Sequence, residues 1–580
     1  MTWEYISKDV SLATFLEKEL EISNLTATLL LSRGIDTVDR AKKFLETEIS
    51  DFSNPFLFEN MEKIIDKILE VREKKSKVFI YGDYDVDGIT AAVFLVKVFS
   101  QIGINVDYYI PSRVEEGHGL DKKNLKYMRS RGAELVITVD SSINSIEDVR
   151  YGQKLGIDVI VTDHHKSVEK EEDEEILYIN PKLSKRYDFK YLSGAGVALK
   201  LAQALYLKLG ISLDEVHKFI DIVMIGTVAD VVPMVGENRI IIKKGLEKIK
   251  NTEIPGLKSL LKYLKFNNKT MTTTDISYFI SPLINALGRI GVAKIGADFF
   301  IEKNEKKIFD IIEEMKKMNR MRREYEKIMY DEAIERVKEI DLIEKKSIFL
   351  SSDTWHPGVV GVVSSRLSNK YEIPVVLISL ENGFGKASSR SVPGINIFDI
   401  FKKCSPMLER FGGHDLAAGF IVKEENLLEV EKQFYEEVKK YSSLHEKKIL
   451  KVDFDLNIEQ ITSEILGDIE KIAPYGQGNR MPLFFDSNLE FLNIKKFGVE
   501  NKHFGGIIVK EGQTFSVVGF DMGKYIDETE YKIQKFDILY YPERFIYKGN
   551  ESIQIKIKDM KIKDDFYDVF TQKIKNYIYS

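Results

Sequence analysis

The strongest constraint on the fold is a repeating pattern between about residues 77 and 163. Short runs of β-branched and other apolar residues alternate there with longer apolar stretches of helical period. The short runs predict strands at 78–81, 106–110, 134–139 and 158–161, and the longer stretches predict helices that include 89–102 and 143–155. Strands alternating with helices predict a mostly parallel sheet. In such a sheet, functional groups collect at the carboxyl ends of the strands.

Three further regions follow this α/β core. Residues 303–340 are highly charged, lack Pro and Gly, and carry apolar residues at helical spacing, which predicts one long connecting helix. A second α/β region begins at about residue 345, with strands predicted at 348–350 and 374–378. Beyond about residue 450 the pattern changes to alternating strands, most clearly at 553–558, which predicts a small β-barrel or sandwich.

The composition excludes several classes of protein. The 580 residues include 85 Lys and Arg against 91 Asp and Glu, a formal net charge of −6, and 44% of them are hydrophobic. These values are typical of a soluble globular protein and argue against disorder or an overall basic coat for nucleic acid. The length allows roughly four domains of about 150 residues.

The single cysteine, Cys404, excludes an intramolecular disulfide and a cysteine-based zinc site. The N-terminus lacks the charged and apolar regions of a signal peptide. No segment reaches the ~18 uninterrupted apolar residues of a membrane span. We therefore expect a cytoplasmic protein that has no membrane partner.

Three carboxylates follow the first predicted strand at alternate positions: Asp83, Asp85 and Asp87. Negative charges this close repel one another and any bare phosphate unless cations are bound. The same residues match the start of an EF-hand loop, but its twelfth position, which needs Glu, is Phe94. The pattern therefore predicts a metal site of another kind, and a solvated acidic turn is the alternative.

Later predicted elements also deliver candidate ligands. The strand at 134–139 is followed by Asp140, and the strand at 158–161 leads into the triplet Asp-His-His at 163–165. Asp230 is an acid in an otherwise apolar stretch, where a buried carboxylate is costly unless it is paired, hydrogen-bonded or metal-bound. A carboxylate that caps a helix or turn is the alternative for Asp230.

Carboxylates and imidazoles without cysteine suit divalent ions such as manganese or magnesium. One carboxylate that bridges two such ions, about 3.5–4 Å apart, gives the arrangement used for in-line displacement at phosphorus. The ions would activate a water and stabilise charge on the phosphoryl oxygens. The residues therefore predict phosphoester hydrolysis.

Taken together, the motifs resemble those of a known family. Asp-Tyr-Asp-Val-Asp-Gly at 83–88, Asp140, Asp-His-His at 163–165 and Gly-Thr-Val-Ala-Asp at 226–230 are similar to the four motifs of the DHH phosphoesterases, and closely so to those of the RecJ single-strand-specific exonucleases. The resemblance extends through Asn-Ala-Leu-Gly-Arg at 285–289, Gly-Gly-His-Asp-Leu-Ala-Ala-Gly at 412–419 and Pro-Tyr-Gly-Gln-Gly-Asn at 474–479. The motifs span about residues 78–480.

The resemblance implies an α/β fold class with a long connector helix and a C-terminal β-barrel. The implied parts are an N-terminal helical segment at 1–60, a mostly parallel-sheet DHH catalytic domain at 61–295, the connector helix at 296–344, a second α/β domain called DHHA1 at 345–445, and an OB-fold that binds single strands at 446–580. The last four of these parts correspond to the parallel sheet, the long helix, the second α/β region and the alternating strands described above.

By motif position, the implied metal ligands are Asp83, Asp85, Asp87, Asp140, His164 and Asp230, with Asp140 as the bridge. His165 is similar to a histidine of the family that contacts phosphate, and it completes the implied catalytic set. Members commonly have Gly two residues after the Asp of the second motif, whereas Ser141 and Ser142 follow Asp140 here. We expect a changed loop that retains the ligand.

The resemblance also implies substrate contacts outside the metal site. Arg113, Ser388 and Arg390 match segments that the family associates with a 5′-phosphate pocket. Nearby glycines permit close approach of the backbone, and arginines offer paired donors to phosphate. The further candidates are Arg289, His356, Arg366, Gly413 and His414. For each arginine a surface salt bridge is the alternative, and for the segment around His414 it is a helix-entry turn.

We therefore expect a metal-dependent exonuclease that removes mononucleotides 5′ to 3′ from single-stranded DNA in repair and recombination. The polarity and the preference for DNA rest on the resemblance. Two divalent metal ions are expected, with manganese first and magnesium as the alternative. The family suggests a RecQ-type helicase and a single-strand-binding protein as partners of a monomer. The alternatives are a DHH nanoRNase or dinucleotide phosphatase, and a non-catalytic RecJ-like replication scaffold.

Overall fold

The structure is a computed structural model that describes residues 2–7, 9–113, 116, 119–167, 176–266, 270–441, 449–526, 535–547 and 550–562. The chain forms two compact units. The first consists of Met1–Asp51, Pro233–Val235 and Glu446–Ser580, and the second of Phe52–Val232 and Gly236–His445. Among the described residues, every helix is too short or too polar to cross a lipid bilayer.

The helices and strands are numbered in chain order. The α-helices α1 to α21 are Val10–Leu20, Asn24–Leu31, Val38–Glu46, Met61–Glu73, Val86–Gln101, Lys122–Ser130, Ile146–Lys154, Gly194–Lys208, Asp214–His217, Ile220–Ala229, Gly236–Ile249, Pro255–Tyr263, Thr273–Asp275, Ser281–Ile290, Lys294–Ile301, Glu305–Val337, Leu342–Lys345, Val360–Tyr371, Ile397–Cys404, Leu427–Lys439 and Ser463–Ile472. The strands β1 to β18 are Thr2–Tyr5, Lys77–Gly82, Val106–Tyr109, Ala133–Val139, Asp158–Thr162, Leu177–Ile179, Ile348–Ser352, Val375–Glu381, Phe384–Arg390, Leu408–His414, Ala417–Lys423, Ile449–Val452, Phe454–Asp455, Phe484–Phe497, His503–Lys510, Gln513–Gly519, Phe536–Tyr547 and Asn550–Ile562.

The parallel sheet predicted from the sequence is confirmed in the second unit. Its five strands lie in the order β3-β2-β4-β5-β6, and every pair in it is parallel. The central strands β2, β4 and β5 are buried along nearly their whole length, as expected for a sheet covered on both faces. The carboxyl ends of β2, β4 and β5 therefore meet at one edge of this sheet.

Three buried helices pack together beside this sheet. Helices α5, α8 and α10 contact one another, and each carries an almost continuous run of buried residues. The N-terminus of α8 is capped by Ser193, whose hydroxyl accepts a hydrogen bond from the Gly196 amide at 3.1 Å. The first amides of α8 point toward the carboxyl edge of the sheet, where they donate to Asp87 after β2.

A buried ion pair anchors α8 to α11. Lys200 Nζ lies 2.6 Å from Glu237 Oε2, and both side chains are almost completely buried. Lys200 also donates to the carbonyl of Ser53 at 2.7 Å, and the hydroxyl of Tyr187 donates to Glu237 Oε1 at 2.7 Å. Because each charge is paired and hydrogen-bonded, the cluster holds α8 in place without a bare buried charge.

The long helix predicted at 303–340 is confirmed as α16. Its 33 residues span about 50 Å. Asn304 caps its N-terminus by accepting a hydrogen bond from the Lys307 amide at 3.1 Å. Ile308, Ile312, Met315 and Met318 are buried, which is the apolar face predicted from their spacing.

The second α/β region contains a mixed sheet of five strands in the order β10-β11-β9-β8-β7. Strands β7 and β8 are parallel, and the remaining pairs are antiparallel. The glycine-rich segment at 412–419 forms the β10–β11 hairpin, so the alternative of a helix-entry turn is wrong. This hairpin brings Gly413 and His414 to the end of the sheet.

The alternating C-terminal strands of the first unit form a barrel. Strands β14, β15, β16, β18 and β17 pair in this order, and the antiparallel pair β14–β17 closes the ring. Phe484, Phe491, Phe504 and Tyr540 are among the residues that fill its interior. Closure removes the exposed sheet edges that a sandwich would leave, and it decides between the barrel and the sandwich predicted from the sequence.

The N-terminal segment contains a strand as well as the predicted helices α1 to α3. Strand β1 pairs in parallel with β12. Nearby, the buried carboxylate of Asp453 accepts two hydrogen bonds from Arg480, at 2.6 and 2.7 Å, and one from the Ser32 hydroxyl at 2.9 Å. Residues far apart in the sequence are thus joined in one unit.

Substitution Lys200→Met is expected to lower the free energy of unfolding by about 3–5 kcal/mol, because it leaves the Glu237 carboxylate buried without its cation. Guanidinium denaturation followed by circular dichroism measures this change. Adding Glu237→Gln removes the stranded charge and should recover part of the loss. The matched control is Lys74→Met, which breaks an exposed pair with Glu70 and should leave the midpoint unchanged. Equal shifts of the denaturation midpoint for the two lysine variants would contradict the anchoring role of the Lys200–Glu237 pair.

Candidate active site

The turn between β2 and α5 presents the first three acidic residues. Asp83 and Asp87 are buried, and Asp85 caps α5 by accepting a hydrogen bond from the Gly88 amide at 3.1 Å. Asp87 reaches the N-terminus of α8, where its two oxygens accept hydrogen bonds from the amides of Gly194 at 2.6 Å and Ala195 at 3.0 Å. Burial, and secondly the neighbouring Asp85, raise the pKa of Asp87 to about 7.

Asp140 and Asp230 approach the same place from other elements. Asp140 follows β4 with a φ of 59°, and Asp230 caps the C-terminus of α10. A Cβ atom added to Gly194 would clash with the Asp140 side chain, so glycine is required for α8 to come this close. Burial, and then the charge of Asp87, raise the pKa of both carboxyls well above the ordinary value.

The departure from the family pattern after Asp140 has a structural counterpart. Ser141 and Ser142 are buried, and Ser142 has a φ of 81°, in the left-handed region that favours glycine. The Ser142 hydroxyl accepts a hydrogen bond from the Leu120 amide at 3.2 Å, which helps to hold this conformation. The serine therefore occupies a backbone conformation that glycine would adopt without strain.

His164 lies among these carboxylates. Its Nε2 atom is 3.1 Å from Asp140 Oδ1 and 3.5 Å from Asp230 Oδ2. Within the described part of the chain, these three buried atoms have no hydrogen-bond partner. Burial, and secondly His165, lower the pKa of His164 to about 3, so its imidazole is neutral at physiological pH. Buried polar atoms that converge without hydrogen-bond partners are the arrangement expected of metal ligands.

The side chains form three overlapping groups, in each of which the ligand atoms lie within 4.8 Å of one another. The groups are Asp140, His164 and His165; Asp87, His164 and Asp230; and Asp83, Asp85 and Asp140. The structure thus brings together all six predicted metal ligands and His165. Oxygen and imidazole donors without sulfur fit a divalent ion of the manganese or magnesium type.

Asp163 organises the loop after β5, a role that the sequence motif alone does not reveal. Its carboxylate accepts hydrogen bonds from the amides of Ile143 at 3.0 Å and His164 at 2.7 Å, and from His165 Nδ1 at 2.7 Å. Burial alone would raise the pKa of Asp163, but the hydrogen bond and the charge of His165 hold it below the ordinary value. The signal for this role was the position of Asp163 at a strand end.

The β10–β11 hairpin brings a third histidine, His414, to the site. The rings of His165 and His414 are parallel, with their centroids 6.5 Å apart. Gly413 has a φ of 139°, and a Cβ atom there would clash with Ala418 in the facing strand. The hairpin thus places His414 beside His165, and its close strand pairing requires glycine at position 413.

Three of the predicted arginines lie near one another. The guanidinium of Arg113 is 5.1 Å from the centroid of the Tyr84 ring. Arg289 donates to the carbonyl of Gly358 at 3.3 Å. Burial, and secondly the charge of Arg113, lower the pKa of Arg289 to about 10 and lower that of Arg390. Like charges held together in this way form a candidate anion site.

Ser388 lies beside this arginine cluster, whereas His356 and Arg366 contact tyrosines of α16. A Cβ atom added to Gly361 would lie 2.9 Å from Ser388 Oγ and 3.8 Å from Arg390 Nη2. His356 accepts a hydrogen bond from the Gly358 amide at 3.0 Å and stacks on Tyr325 of α16, with centroids 5.1 Å apart. The guanidinium of Arg366 lies 4.0 Å from the centroid of Tyr330, so its described contact is with α16.

Comparison with known proteins shows that three family models match successive parts of the chain. Residues 77–227 match the DHH family, N-terminal domain, residues 344–441 the DHHA1 domain, and residues 452–559 the RecJ OB domain. The chain is 33% identical over 529 residues to the single-stranded-DNA-specific exonuclease RecJ of Bacillus subtilis, covering 90% of this chain and 66% of that protein. It is 28% identical over 566 residues to the protein of that name from Haemophilus influenzae, covering 93% of this chain and 97% of that protein.

The fold has a counterpart among solved structures. The crystal structure of RecJ in complex with Mn²⁺ from Thermus thermophilus superposes with a TM-score of 0.83 at 23% identity, covering 97% of this chain and 80% of that one. At this level of identity the likeness establishes the architecture, whereas the sequence matches establish the relationship. The chain therefore belongs to the RecJ family of DHH phosphoesterases.

Proposed function

We propose that this chain is a metal-dependent exonuclease that degrades single-stranded DNA 5′ to 3′ and releases mononucleotides, in DNA repair and recombination. The observation that carries the proposal is the set of three overlapping carboxylate and histidine groups, which share Asp140 and His164. The curated relatives are named single-stranded-DNA-specific exonucleases, which supports the choice of substrate.

The proposed cofactor is a pair of divalent metal ions, manganese in the first place and magnesium as the alternative. Asp83, Asp85, Asp87, Asp140, His164 and Asp230 would hold them. Asp140 is the proposed bridge because, among the described residues, it is the only carboxylate that belongs to two of the three groups. Bound ions of this kind lower the pKa of a water and neutralise charge on phosphoryl oxygens. They would also offset the mutual repulsion of the carboxylates, which is otherwise large in a buried site.

The residues around the ligands have separate proposed tasks. Asp163 fixes the orientation of the His165 ring through Nδ1, and the proposed task of His165 is to contact a phosphate oxygen of the substrate. His414, stacked beside His165, lines the same approach. The amides at the start of α8 keep Asp87 in one orientation, which limits the reorganisation needed when substrate binds.

The arginine cluster is the proposed site for the 5′-terminal phosphate. Arg113, Arg289 and Arg390 bring three positive charges together, and Ser388 adds a hydroxyl beside Arg390. A phosphate would relieve their mutual repulsion and accept several charge-assisted hydrogen bonds. Recognition of a terminal phosphate at this cluster would select the 5′ end and so set the polarity of degradation.

The remaining features of the proposal concern the whole chain. Residues 61–295 are the proposed catalytic domain, and residues 446–580, whose described strands form the barrel, are the proposed domain that binds the single strand. The proposed partners besides single-stranded DNA are a RecQ-type helicase and a single-strand-binding protein, and the protein is proposed to act as a monomer in the cytoplasm. The match of residues 452–559 to the RecJ OB domain supports a long-strand substrate over a dinucleotide. The complete ligand set supports catalysis over a scaffold role.

Substitution Asp140→Ala is expected to reduce manganese-dependent cleavage of single-stranded DNA by at least about a thousandfold, because among the described residues it removes the only carboxylate that belongs to two of the three ligand groups. Initial rates with a fluorescent oligonucleotide measure the loss. Thermal stability without metal should not fall, since the variant also removes a buried charge. The control Asp188→Ala removes an exposed carboxylate and should keep full activity. A fully active Asp140→Ala enzyme would refute the shared site.

A comparison of end-labelled strands tests metal dependence and polarity together. A 5′-labelled strand should release labelled mononucleotide at the earliest times with manganese, whereas a 3′-labelled strand should shorten progressively from its other end. EDTA should abolish both reactions, and added manganese should restore them. Early release of mononucleotide from the 3′ label would overturn the proposed polarity.

Substrate length distinguishes the exonuclease from the dinucleotide phosphatase. The value of kcat/KM should be at least about tenfold higher for a 20-nucleotide strand than for a dinucleotide, because a long strand gains stacking and phosphate contacts along the protein. Both are measured by product release with manganese present. Preference for the dinucleotide would favour the alternative function.

A further inference from the structure

Tyr84 stands between the metal ligands and the arginine cluster, and neither the motif nor the proposed mechanism has given it a task. It occupies the β2–α5 turn between Asp83 and Asp85. Helix α14, which carries Arg289, packs directly on this turn, since a Cβ atom added to Gly288 would clash with the Tyr84 carbonyl. The backbone of Tyr84 is therefore fixed against the element that supplies one of the arginines.

The ring of Tyr84 faces the cation that follows β3. The guanidinium of Arg113 lies 5.1 Å from the ring centroid, within the range of a cation–π interaction. Arg113 also lies close enough to Arg289 and Arg390 to lower the pKa of each. Repulsion from these neighbours acts to move Arg113 away from the cluster. An attractive contact is therefore needed to keep it there before an anion binds.

An aromatic ring suits this task better than a carboxylate. A carboxylate would pair with Arg113 and compete with an incoming phosphate, whereas a ring attracts the guanidinium without neutralising it. In the part of the chain that the structure describes, no carboxylate forms an ion pair with Arg113. No described carboxylate therefore competes with an incoming phosphate for the N–H groups of the Arg113 guanidinium.

We propose that Tyr84 is a positioning residue that holds Arg113 in the arginine cluster and thereby sets the discrimination between a 5′-phosphate and a 5′-hydroxyl end. The inference rests on the proposed function in taking the terminal phosphate as the anion that the cluster receives. It assigns the preference for that end to a contact between the ring and the guanidinium. The reaction at the metal ligands does not involve the ring.

The test compares strands that differ only at the 5′ end. Affinities for a 5′-phosphorylated and a 5′-hydroxyl oligonucleotide are measured by fluorescence anisotropy without metal, and KM and kcat are measured with manganese. Tyr84→Leu should lower the ratio of affinities by about tenfold, through weaker binding of the phosphorylated strand alone. Tyr84→Phe keeps the ring and should retain the ratio within about twofold.

A double-mutant comparison identifies the partner of the ring. In an Arg113→Ala background, Tyr84→Leu should cause no further loss of discrimination, because the guanidinium that it positions is already absent. The matched control is Tyr263→Leu, which removes an exposed ring that lies 4.2 Å from Lys316 Nζ on α16. This control should leave the ratio unchanged. Additive losses in the double variant would overturn the inference.

Other results would also overturn it. One is an unchanged ratio of affinities in Tyr84→Leu, and another is an equal loss of affinity for both 5′ ends in that variant. A third is a loss of Mn²⁺ affinity in Tyr84→Leu, measured by an electron paramagnetic resonance titration, which would place the ring in the metal site. A wild-type protein that binds both ends equally overturns the inference even if it cleaves DNA. Tyrosine-dependent discrimination without cleavage supports the inference and overturns the exonuclease proposal.

Discussion

Repulsion among buried carboxylates is the constraint around which the second unit is built. Asp87, Asp140 and Asp230 have raised pKa values because burial, and secondly the charge of a neighbouring aspartate, disfavours ionisation. Such a cluster persists only where the surrounding structure holds it together or where cations compensate it. The metal site meets the first condition, since its backbone geometry is tightly restrained. It fits the second, since its ligand atoms converge within one short range of distances.

The restraint comes from close packing of helices on the edge of the sheet. Helix α8 offers two amides to Asp87, and Gly194 allows it to approach Asp140 without a clash. The same helix is anchored further along by the buried pair of Lys200 and Glu237. The ion pair therefore matters to the site although it lies outside it, because it fixes the helix that orients a metal ligand.

Much of this could be predicted from local sequence. The four strands predicted at 78–81, 106–110, 134–139 and 158–161 lie within or overlap β2 to β5. They were predictable because short, bounded runs of apolar and β-branched residues favour strands. Helix α16 was predictable because its apolar residues keep one period throughout. Five of the six predicted ligands converge because the carboxyl ends of parallel strands share an edge, whereas Asp230 joins them from the C-terminus of α10. The roles of Asp163 and Tyr84 were not predictable, because each depends on a partner whose position no local pattern specifies.

The amino-acid sequence by itself determined the residue types at the strand ends, the parallel sheet that gathers them, and hence the class of chemistry. The tertiary structure decided the contacts between distant segments. It placed His414 against His165, set Arg113 on Tyr84, paired β1 with β12, and closed the barrel through β14 and β17. Periodicity depends on neighbours along the chain, whereas these contacts depend on how whole elements pack, and packing is settled only when every side chain is in place.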